Sequence, residues 1–458
     1  MTDLAPGVFL ISSTLKVTAV FTVLMIAVAY TTFAERRVSA WIQDRMGPNR
    51  VGPFGLLQPI ADGIKNILKD ETLPGTASKA FFVLGPMLSV MPALVLFAVI
   101  PFAAPLPTPW GTIPMIVADV PIGILYILAL SSLGVYGLVL GGWASNNKYA
   151  FLGGLRASAQ MVSYEVALGL SLVAVLMLAG NVTLTEVVFQ QQRLQFWFLF
   201  PLSLAFILFV ISAFAETNRL PFDMPKAESE LVTGYHTEYS AMKFSMFFIA
   251  EYAHLITQSA LMATLFLGGW DIPFWRGDDA FYRNGAWIRG FDAGGVPIAA
   301  DLAWWKTLLT LGMFALKTGF FILVFIWVRW TLPRFRYDQV IQLGWKIMLP
   351  TALAYVMAIG GAILVLDTVG VPFGPLYGLL LTAVSLVATG IFVFWLDRDR
   401  IIGVASHPAR RRLPKRMPAG LGPQAKAGEV EPGAAERGEA EGEEERLPAG
   451  SGAGRLTP

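Results

Sequence analysis

The chain is divided into apolar stretches of about 20 residues, and this division limits the possible folds more than any other feature. Inside a bilayer every backbone polar group needs an internal partner, so such stretches form helices. The 458-residue sequence is 55% hydrophobic and 14% charged. We therefore predict an all-α polytopic membrane protein with about nine transmembrane helices and one interfacial helix. The predicted spans are residues 8–34, 81–103, 120–141, 157–180, 196–215, 245–270, 304–329, 347–366 and 374–396.

The positively charged residues lie mostly in one set of connections between these spans. Together with the C-terminal tail, these connections hold 27 of the 34 Lys and Arg residues. They are residues 34–80, 142–156, 216–244 and 329–346. Since cytoplasmic loops of membrane proteins are enriched in Lys and Arg, the pattern predicts an N-terminus outside the cell and a cytoplasmic C-terminus.

The composition divides the chain into two regions. We predict that residues 1–402 form the transmembrane helical domain with its cytoplasmic loops, and that residues 403–458 form a disordered cytoplasmic tail. The tail is rich in Gly, Pro and Glu, and its few apolar side chains cannot offset the entropy lost on ordering. Its basic segment Arg410–Arg416 is compatible with a docking arm, with contact to lipid headgroups or with a solvated extension.

Cysteine is absent from the sequence, and only three histidines are present. The chain therefore offers no disulfide, no thiolate ligands for an iron–sulfur cluster and no zinc site of the cysteine type. Metal ligands for any redox chemistry that this chain serves would come from other proteins. We predict no metal site within the chain.

An acidic segment, residues 215–252, lies between two apolar spans. Its six carboxylates are opposed only by Arg219, Lys226 and Lys243. They are Glu216, Asp223, Glu228, Glu230, Glu238 and Glu251. A charge near the bilayer centre costs about 3 kcal/mol or more unless it is paired or hydrated, so acids at this density indicate proton handling. A Mg²⁺ or Ca²⁺ site is the alternative, although no Asp/Asn/Gly loop accompanies the acids.

Three ionisable residues are predicted to lie at membrane depth. Glu165 lies about two turns inside the fourth span, Glu251 lies at a similar depth in the sixth, and Lys317 is near the middle of the seventh. Such groups must face protein or water and not lipid. Proton exchange and structural ion pairing both explain their presence.

Two of the connections carry further patterns. After the turn-forming sequence MGPNRVGPFG, apolar residues recur every three to four positions up to Leu68, which predicts an amphipathic helix in the membrane interface. Such a helix is compatible with a roof over a cavity or with a simple anchor. In the last connection Arg329, Arg334 and Arg336 form a cluster that suits either phospholipid headgroups or an acidic soluble partner.

Four segments of the chain resemble one family, in sequence and in order. They are ERRVSAWIQDRMGPNRVGPFGLLQPIADGIK, SYEVALG, AETNRLPFDMPKAESELVTGYHTEYSAMKF and WVRWTLPRFRYDQVIQLGWK. The segments resemble the quinone-end membrane subunit of respiratory complex I, which is the H subunit of bacterial proton-translocating NADH:quinone oxidoreductase. The resemblance covers roughly residues 8–396.

The resemblance implies a function and a set of partners. It implies a subunit that forms the quinone-binding chamber and couples quinone reduction to proton translocation. Quinone would be the substrate, no cofactor would be bound covalently, and FMN and the iron–sulfur clusters would belong to partner subunits. The implied partners are the iron–sulfur subunits of the peripheral arm, small and antiporter-like membrane subunits, quinone and lipid, with no nucleic acid. The implied location is the plasma (inner) membrane of a bacterium.

The resemblance also implies roles for individual residues. The quinone-binding residues would be Arg36, Arg45, Asp62, Arg219, Phe222 and Arg329. The proton path would contain Glu35, Glu165, Glu216, Asp223, Glu228, Glu230, Glu238, Glu251 and Lys317. One position departs from the family, which usually reads PFDLPEAESELV, because this chain has Lys226 where a carboxylate is common. A cation there favours ionisation of the neighbouring acids Asp223 and Glu228.

Two other classes of protein share part of this pattern. A stand-alone ion-coupled transporter also needs buried acids, but it predicts an inverted repeat with paired broken helices, and we find none in the sequence. The related subunit of membrane-bound hydrogenases shares the architecture without binding quinone. The Arg and Asp residues of the first cytoplasmic loop favour the quinone branch.

Overall fold

The structure is a computed structural model that describes residues 6–397 except 274, 276, 278–279, 284–285 and 292–296. The predicted tail, residues 403–458, lies outside the described residues, so its disorder stays a prediction. The side chain of Glu228 is likewise not described.

Within the described residues the chain is almost entirely helical. The α-helices are α1 (Pro6–Ile42), α2 (Gln58–Leu68), α3 (Lys79–Val95), α4 (Gly123–Ala144), α5 (Lys148–Ala179), α6 (Leu184–Leu194), α7 (Ser203–Glu216), α8 (Glu228–Leu231), α9 (Ala241–Phe266), α10 (Trp304–Thr331), α11 (Tyr337–Gln342), α12 (Leu349–Val369) and α13 (Pro375–Asp397). A π-helical turn, Leu343–Met348, joins α11 to α12. The prediction of an all-α membrane protein is therefore confirmed.

Each of the nine predicted spans overlaps one of these helices. Seven helices in the described part of the chain are long and apolar enough to cross a membrane. The remaining two predicted spans correspond to α7, which has 14 residues, and to α9, which has 26 residues and contains Lys243 and Glu251. The number of nine spans and the orientation of the termini stay predictions.

Two small antiparallel sheets accompany the helices. In the first sheet, β1 (Leu106–Thr108) pairs with β2 (Gly111–Ile113). In the second, β4 (Ala286–Phe291) pairs with both β3 (Phe281–Arg283) and β5 (Pro297–Ala299). Both sheets lie in connections between long helices, so they do not interrupt a predicted span.

Helix α5 is among the most buried helices of the bundle, and α1 is among the least buried. Of the most apolar 18-residue stretch of α5, 56% of the residues are buried, whereas the value for α1 is 17%. Helix α5 packs against α4, α7 and α12, while α1 contacts mainly α9 and α10. Because α1 is held by few neighbours, polar contacts that tie it to the bundle have a large share in positioning it.

The predicted amphipathic helix is present as α2. No residue of α2 is buried, and its apolar residues Ile60, Ile64 and Ile67 are exposed along one face. The helix contacts α1 and α9 and not the bundle centre. This arrangement fits a helix that leaves an apolar face open to lipid.

Glycines allow α3 and α4 to pack at very short range. A Cβ atom on Gly137 of α4 would lie 2.7 Å from the backbone nitrogen of Ser89 and 2.8 Å from the carbonyl oxygen of Gly85, both in α3. A Cβ atom on Gly141 would meet the Phe247 ring at 3.0 Å. Small residues at four-residue spacing let membrane helices approach closely, which is the arrangement here.

We expect Gly137→Ala to destabilise the protein, because the added methyl group would push α3 and α4 apart. Overpacking of this kind costs about 1–3 kcal/mol. The matched control is Gly134→Ala on the same helix, where a Cβ atom would meet nothing within 4 Å. Thermal unfolding of the two variants in detergent measures the difference. Equal melting temperatures would show that this helix contact is not tight.

Candidate functional site

The buried carboxylate of Glu35 joins three separate parts of the chain. Arg219, in the loop after α7, donates to both oxygens of Glu35 at 2.9 and 2.7 Å. Arg329 of α10 also forms an ion pair with this carboxylate, and the hydroxyl of Tyr252 in α9 donates to it at 2.8 Å. Glu35 is only 4% exposed and Arg219 only 5%. One acid of α1 therefore holds α9, α10 and the loop together.

The ion pairs continue from Arg219 into the bundle. Its Nε atom lies 2.8 Å from Oε1 of Glu251, in a contact that is not aligned as a hydrogen bond. The second oxygen of Glu251 accepts a hydrogen bond from Lys226. We call the resulting series of alternating charges the ion-pair chain; its members, in order, are Arg329, Glu35, Arg219, Glu251 and Lys226. Each acid lies between two cations, which offsets the cost of burying it.

A large cavity of about 610 Å³ lies on the Arg329 side of the ion-pair chain. Its wall includes residues of α1, α2, α9 and α10. Among the ionisable residues of the wall are Glu35, Arg36, Arg45, Asp62 and Arg329. Arg36 and Asp62 form a salt bridge of 2.6 Å that fastens α2 to α1. Cationic donors and apolar walls together suit a flat, carbonyl-bearing ligand with an apolar tail.

A second, small cavity of about 60 Å³ lies at the Lys226 end of the ion-pair chain. Lys226, Glu251, Glu216 and His254 all line it. Nε2 of His254 lies 3.1 Å from one oxygen of Glu216, and Gln258 donates to the other oxygen at 2.7 Å. The lining is otherwise mostly apolar, and the cavity has room for water beside these four ionisable groups.

Glu165 of α5 interacts electrostatically with Glu216 and His254, although it is not among the residues that line the small cavity. The half-buried Glu165 therefore extends the acidic group around the small cavity towards α5.

Three other acids of the predicted proton path form polar contacts with residues outside the loop between α7 and α9. Asp223 pairs with Arg334 at 3.4 Å, and Glu230 pairs with Arg156 at 2.6 Å. Glu238 accepts a hydrogen bond of 2.6 Å from Asn147. These contacts tie the loop to α5 and to the end of α10, whereas the prediction for Glu228 falls on a side chain outside the described residues.

Lys317 of α10 lies beside the C-terminal end of α9, whereas Glu251 lies in the N-terminal half of that helix. Its ammonium group donates to the backbone carbonyls of Leu267, Gly269 and Asp271, at 2.6, 3.0 and 2.6 Å. The 16 residues from Glu251 to Leu267 correspond to about 24 Å of helix. The structure therefore does not bring Lys317 into contact with the ion-pair chain.

Four of the six predicted quinone residues meet in the large cavity, and two do not line it. Arg36, Arg45, Asp62 and Arg329 belong to its wall. Arg219 lies behind Glu35, and Phe222 is buried against the rings of Tyr164 and Phe335 at 5.4 and 5.5 Å. Arg219 thus supports the wall through Glu35, whereas Phe222 packs in the aromatic core of the loop. The spacing of Arg219 and Phe222 in the sequence does not indicate that both side chains are buried.

Sequence reasoning missed Tyr252 and Gln258. The ring of Tyr252 lies 4.3 Å from the guanidinium carbon of Arg219, while its hydroxyl binds Glu35. Gln258 follows His254 by four residues, so both lie on one face of α9, and both bind Glu216. That spacing beside a membrane-depth acid was the signal available in the sequence.

The loop between α7 and α9 contains two titratable groups with shifted pKa values. Burial raises the pKa of Asp223 from 3.8 to about 6, against the opposing attraction of Lys226. Burial, together with the nearby Lys226, lowers the pKa of His236 to about 4. At neutral pH His236 is therefore uncharged, and Asp223 takes up a proton at a higher pH than an ordinary aspartate does.

Comparison with known proteins identifies the family of the chain. The family model described as NADH dehydrogenase matches residues 15–360. The chain is 46% identical over 359 residues to an NADH-quinone oxidoreductase H subunit of Cytophaga hutchinsonii, covering 78% of this chain and 98% of that protein. It is 48% identical over 356 residues to NADH-ubiquinone oxidoreductase chain 1 of Chondrus crispus, again covering 78% and 98%. The chain belongs to the H-subunit family of NADH-quinone oxidoreductase.

Membership of the H-subunit family makes the chain a membrane component of complex I, an oxidoreductase of the respiratory chain. A third relative, the NADH-quinone oxidoreductase H subunit of Leptospira biflexa, is 47% identical over 351 residues, covering 75% of this chain and 92% of that protein. The family match at residues 15–360 includes every candidate residue of both cavities and of the ion-pair chain.

We expect Asp223→Asn to change how the stability of this subunit depends on pH. Since folding raises the pKa of Asp223 from 3.8 to about 6, its contribution is fully present below about pH 4 and is lost as the pH rises through about 6. The stability of the wild type relative to the variant should therefore fall by up to about 3 kcal/mol across this window. Melting temperatures at several pH values measure it. A constant difference between the two proteins would contradict the assignment.

Proposed function

We propose that this subunit binds the quinone headgroup in the large cavity and couples its reduction to proton translocation. The observation that carries the proposal is the position of Glu35. This residue lines the large cavity and is also a member of the ion-pair chain, which ends at the small cavity beside Glu216. Glu35 would therefore connect the quinone site with the buried acids.

Reduction of quinone adds two electrons and two protons, so negative charge develops on the headgroup before protonation is complete. Arg36 and Arg329 supply cations at the wall of the cavity. Attraction to the headgroup weakens the hold of Arg329 on Glu35. Glu35 then draws Arg219 more strongly, and Arg219 in turn leaves Glu251 to Lys226. The disturbance passes along the ion-pair chain without a proton having to cross it.

At the end of the ion-pair chain the disturbance reaches groups that can take up or release protons. Lys226 and Glu251 line the same small cavity as Glu216 and His254. A shift of Lys226 changes the electrostatic potential at Glu216, so water in this cavity would exchange protons with Glu216. The subunit thus acts as the electrostatic link between quinone chemistry and proton movement in neighbouring subunits.

The proposal also includes the substrate and the partners. Quinone would be the substrate, the electrons would come from iron–sulfur clusters of peripheral-arm subunits, and the protons would pass to small and antiporter-like membrane subunits. The complex would lie in the plasma membrane of a bacterium. The names of the relatives support a quinone oxidoreductase and not a hydrogenase or a stand-alone transporter.

Two substitutions separate quinone binding from coupling. We expect Asp62→Asn to raise the KM for quinone about ten-fold, because loss of one charge-assisted hydrogen bond frees Arg36 and loosens α2. We expect Glu216→Gln to lower kcat and proton pumping about ten-fold at an unchanged KM. NADH:quinone turnover and pumping of the assembled complex in vesicles measure both effects.

The control for these two variants is Glu71→Gln. Glu71 pairs with Lys243 at 2.7 Å and lines neither cavity. Its substitution should leave turnover and pumping close to the wild-type values. Normal turnover and pumping in both Asp62→Asn and Glu216→Gln would remove the site assignment.

We expect Lys226→Glu to move the pH dependence of turnover to higher pH. Asp223 would lose the attraction that lowers its pKa and gain repulsion from a new carboxylate, so the Asp223 pKa would rise above about 6. Lys226→Gln removes the charge without reversing it and should give a smaller shift in the same direction. Three superimposable pH profiles would show that turnover does not depend on a group whose protonation Lys226 controls.

A further inference from the structure

An apolar groove of about 530 Å³ lies between α1 and α10, away from both cavities of the functional site. Its lining includes Leu15 and Val23 of α1 and Phe314 and Ile322 of α10. Met115, just after β2, closes one end. The groove has no residue in common with either cavity of the functional site.

Lys16 is the one ionisable residue in the described lining of the groove. Its ammonium group donates to the backbone carbonyls of Pro114 and Ile116, at 3.2 and 2.8 Å. Among the described residues it forms no ion pair with a carboxylate. A lysine on a membrane helix is costly unless a counter-charge is near, and two carbonyl dipoles supply only part of it. The third N–H of this fixed ammonium group remains for an anion.

We propose that the groove binds an anionic phospholipid, with its phosphate on Lys16 and one acyl chain between α1 and α10. The lining of α1 runs from Ser12 to Ala27, which is about 22 Å of helix. One leaflet of the hydrocarbon core is about 15 Å deep, so the groove accommodates an acyl chain along its depth.

The level of Lys16 agrees with a phospholipid headgroup. Its carbonyl partners follow the β1–β2 hairpin, whose tip carries the exposed Trp110. Trp304 and Trp305, at the start of α10, are also exposed. Exposed tryptophans are enriched where the hydrocarbon core meets the headgroups, so Lys16 lies near that boundary.

The lipid would supply contacts that the protein lacks at this edge. Only 17% of the most apolar stretch of α1 is buried by the rest of the chain. The same helix carries Glu35 at its other end. A bound acyl chain would join α1 to α10 along the part of α1 that the bundle leaves uncovered.

The test uses the assembled complex and phosphatidylglycerol with a photoreactive group in its acyl chain. In the wild type, labelling should fall on peptides that contain residues 12–27 and 311–322. Gly319→Leu should lower this labelling at least about five-fold, because Gly319 lines the groove and a side chain there would point into open space. The matched control is Gly312→Leu, which is also unobstructed on α10 but lies outside the groove. It should label as the wild type does.

Lys16→Gln tests the headgroup separately. The wild type should label more strongly with phosphatidylglycerol than with phosphatidylcholine carrying the same photoreactive chain, and Lys16→Gln should remove this preference. Equal labelling of Gly319→Leu and the wild type would overturn the proposal. Wild-type labelling that does not distinguish the two lipids, or that excess quinone abolishes, would overturn it as well.

Discussion

The fold of the functional region depends on the burial of Glu35 between Arg219 and Arg329. Removing one partner of a buried ion pair typically costs about 3–5 kcal/mol, because the remaining charge is left in a poorly polar environment. Here the carboxylate joins a peripheral helix, a loop and a helix nearly 300 positions away, so its pairing fixes the geometry of the large cavity. The Arg36–Asp62 bridge adds a further connection in the wall of that cavity, between α1 and α2.

Much of the architecture could be predicted from the sequence. Apolar length alone located the helices, and the three-to-four residue spacing of Ile60, Ile64 and Ile67 located α2. The identity of the ion pairs could not be predicted, since Arg219 meets a residue 184 positions earlier. The depth of Phe222 and the place of Lys317 were equally hidden, because charge and apolarity show that a group is buried but not what surrounds it.

Lys226 is a further residue whose contacts could not be predicted from the sequence. The sequence shows only that Lys226 reverses the charge at one position of an acidic motif. In the structure it completes the ion-pair chain at Glu251 and faces Glu216 across the small cavity. Its effect on Asp223, whose pKa stays at about 6 in spite of this cation, shows that burial outweighs attraction in the loop.

The two cavities of the functional site have no lining residue in common, and the buried Arg219 lies between them. The side chains that connect them electrically also fill the space that separates them. In the proposed function, such a partition would transmit a displacement of charge and at the same time block the passage of hydrated ions. A membrane that stores energy as an ion gradient would lose that energy if ions leaked through its proteins. A block to ions is therefore needed wherever a cavity open to lipid lies close to a path for ions.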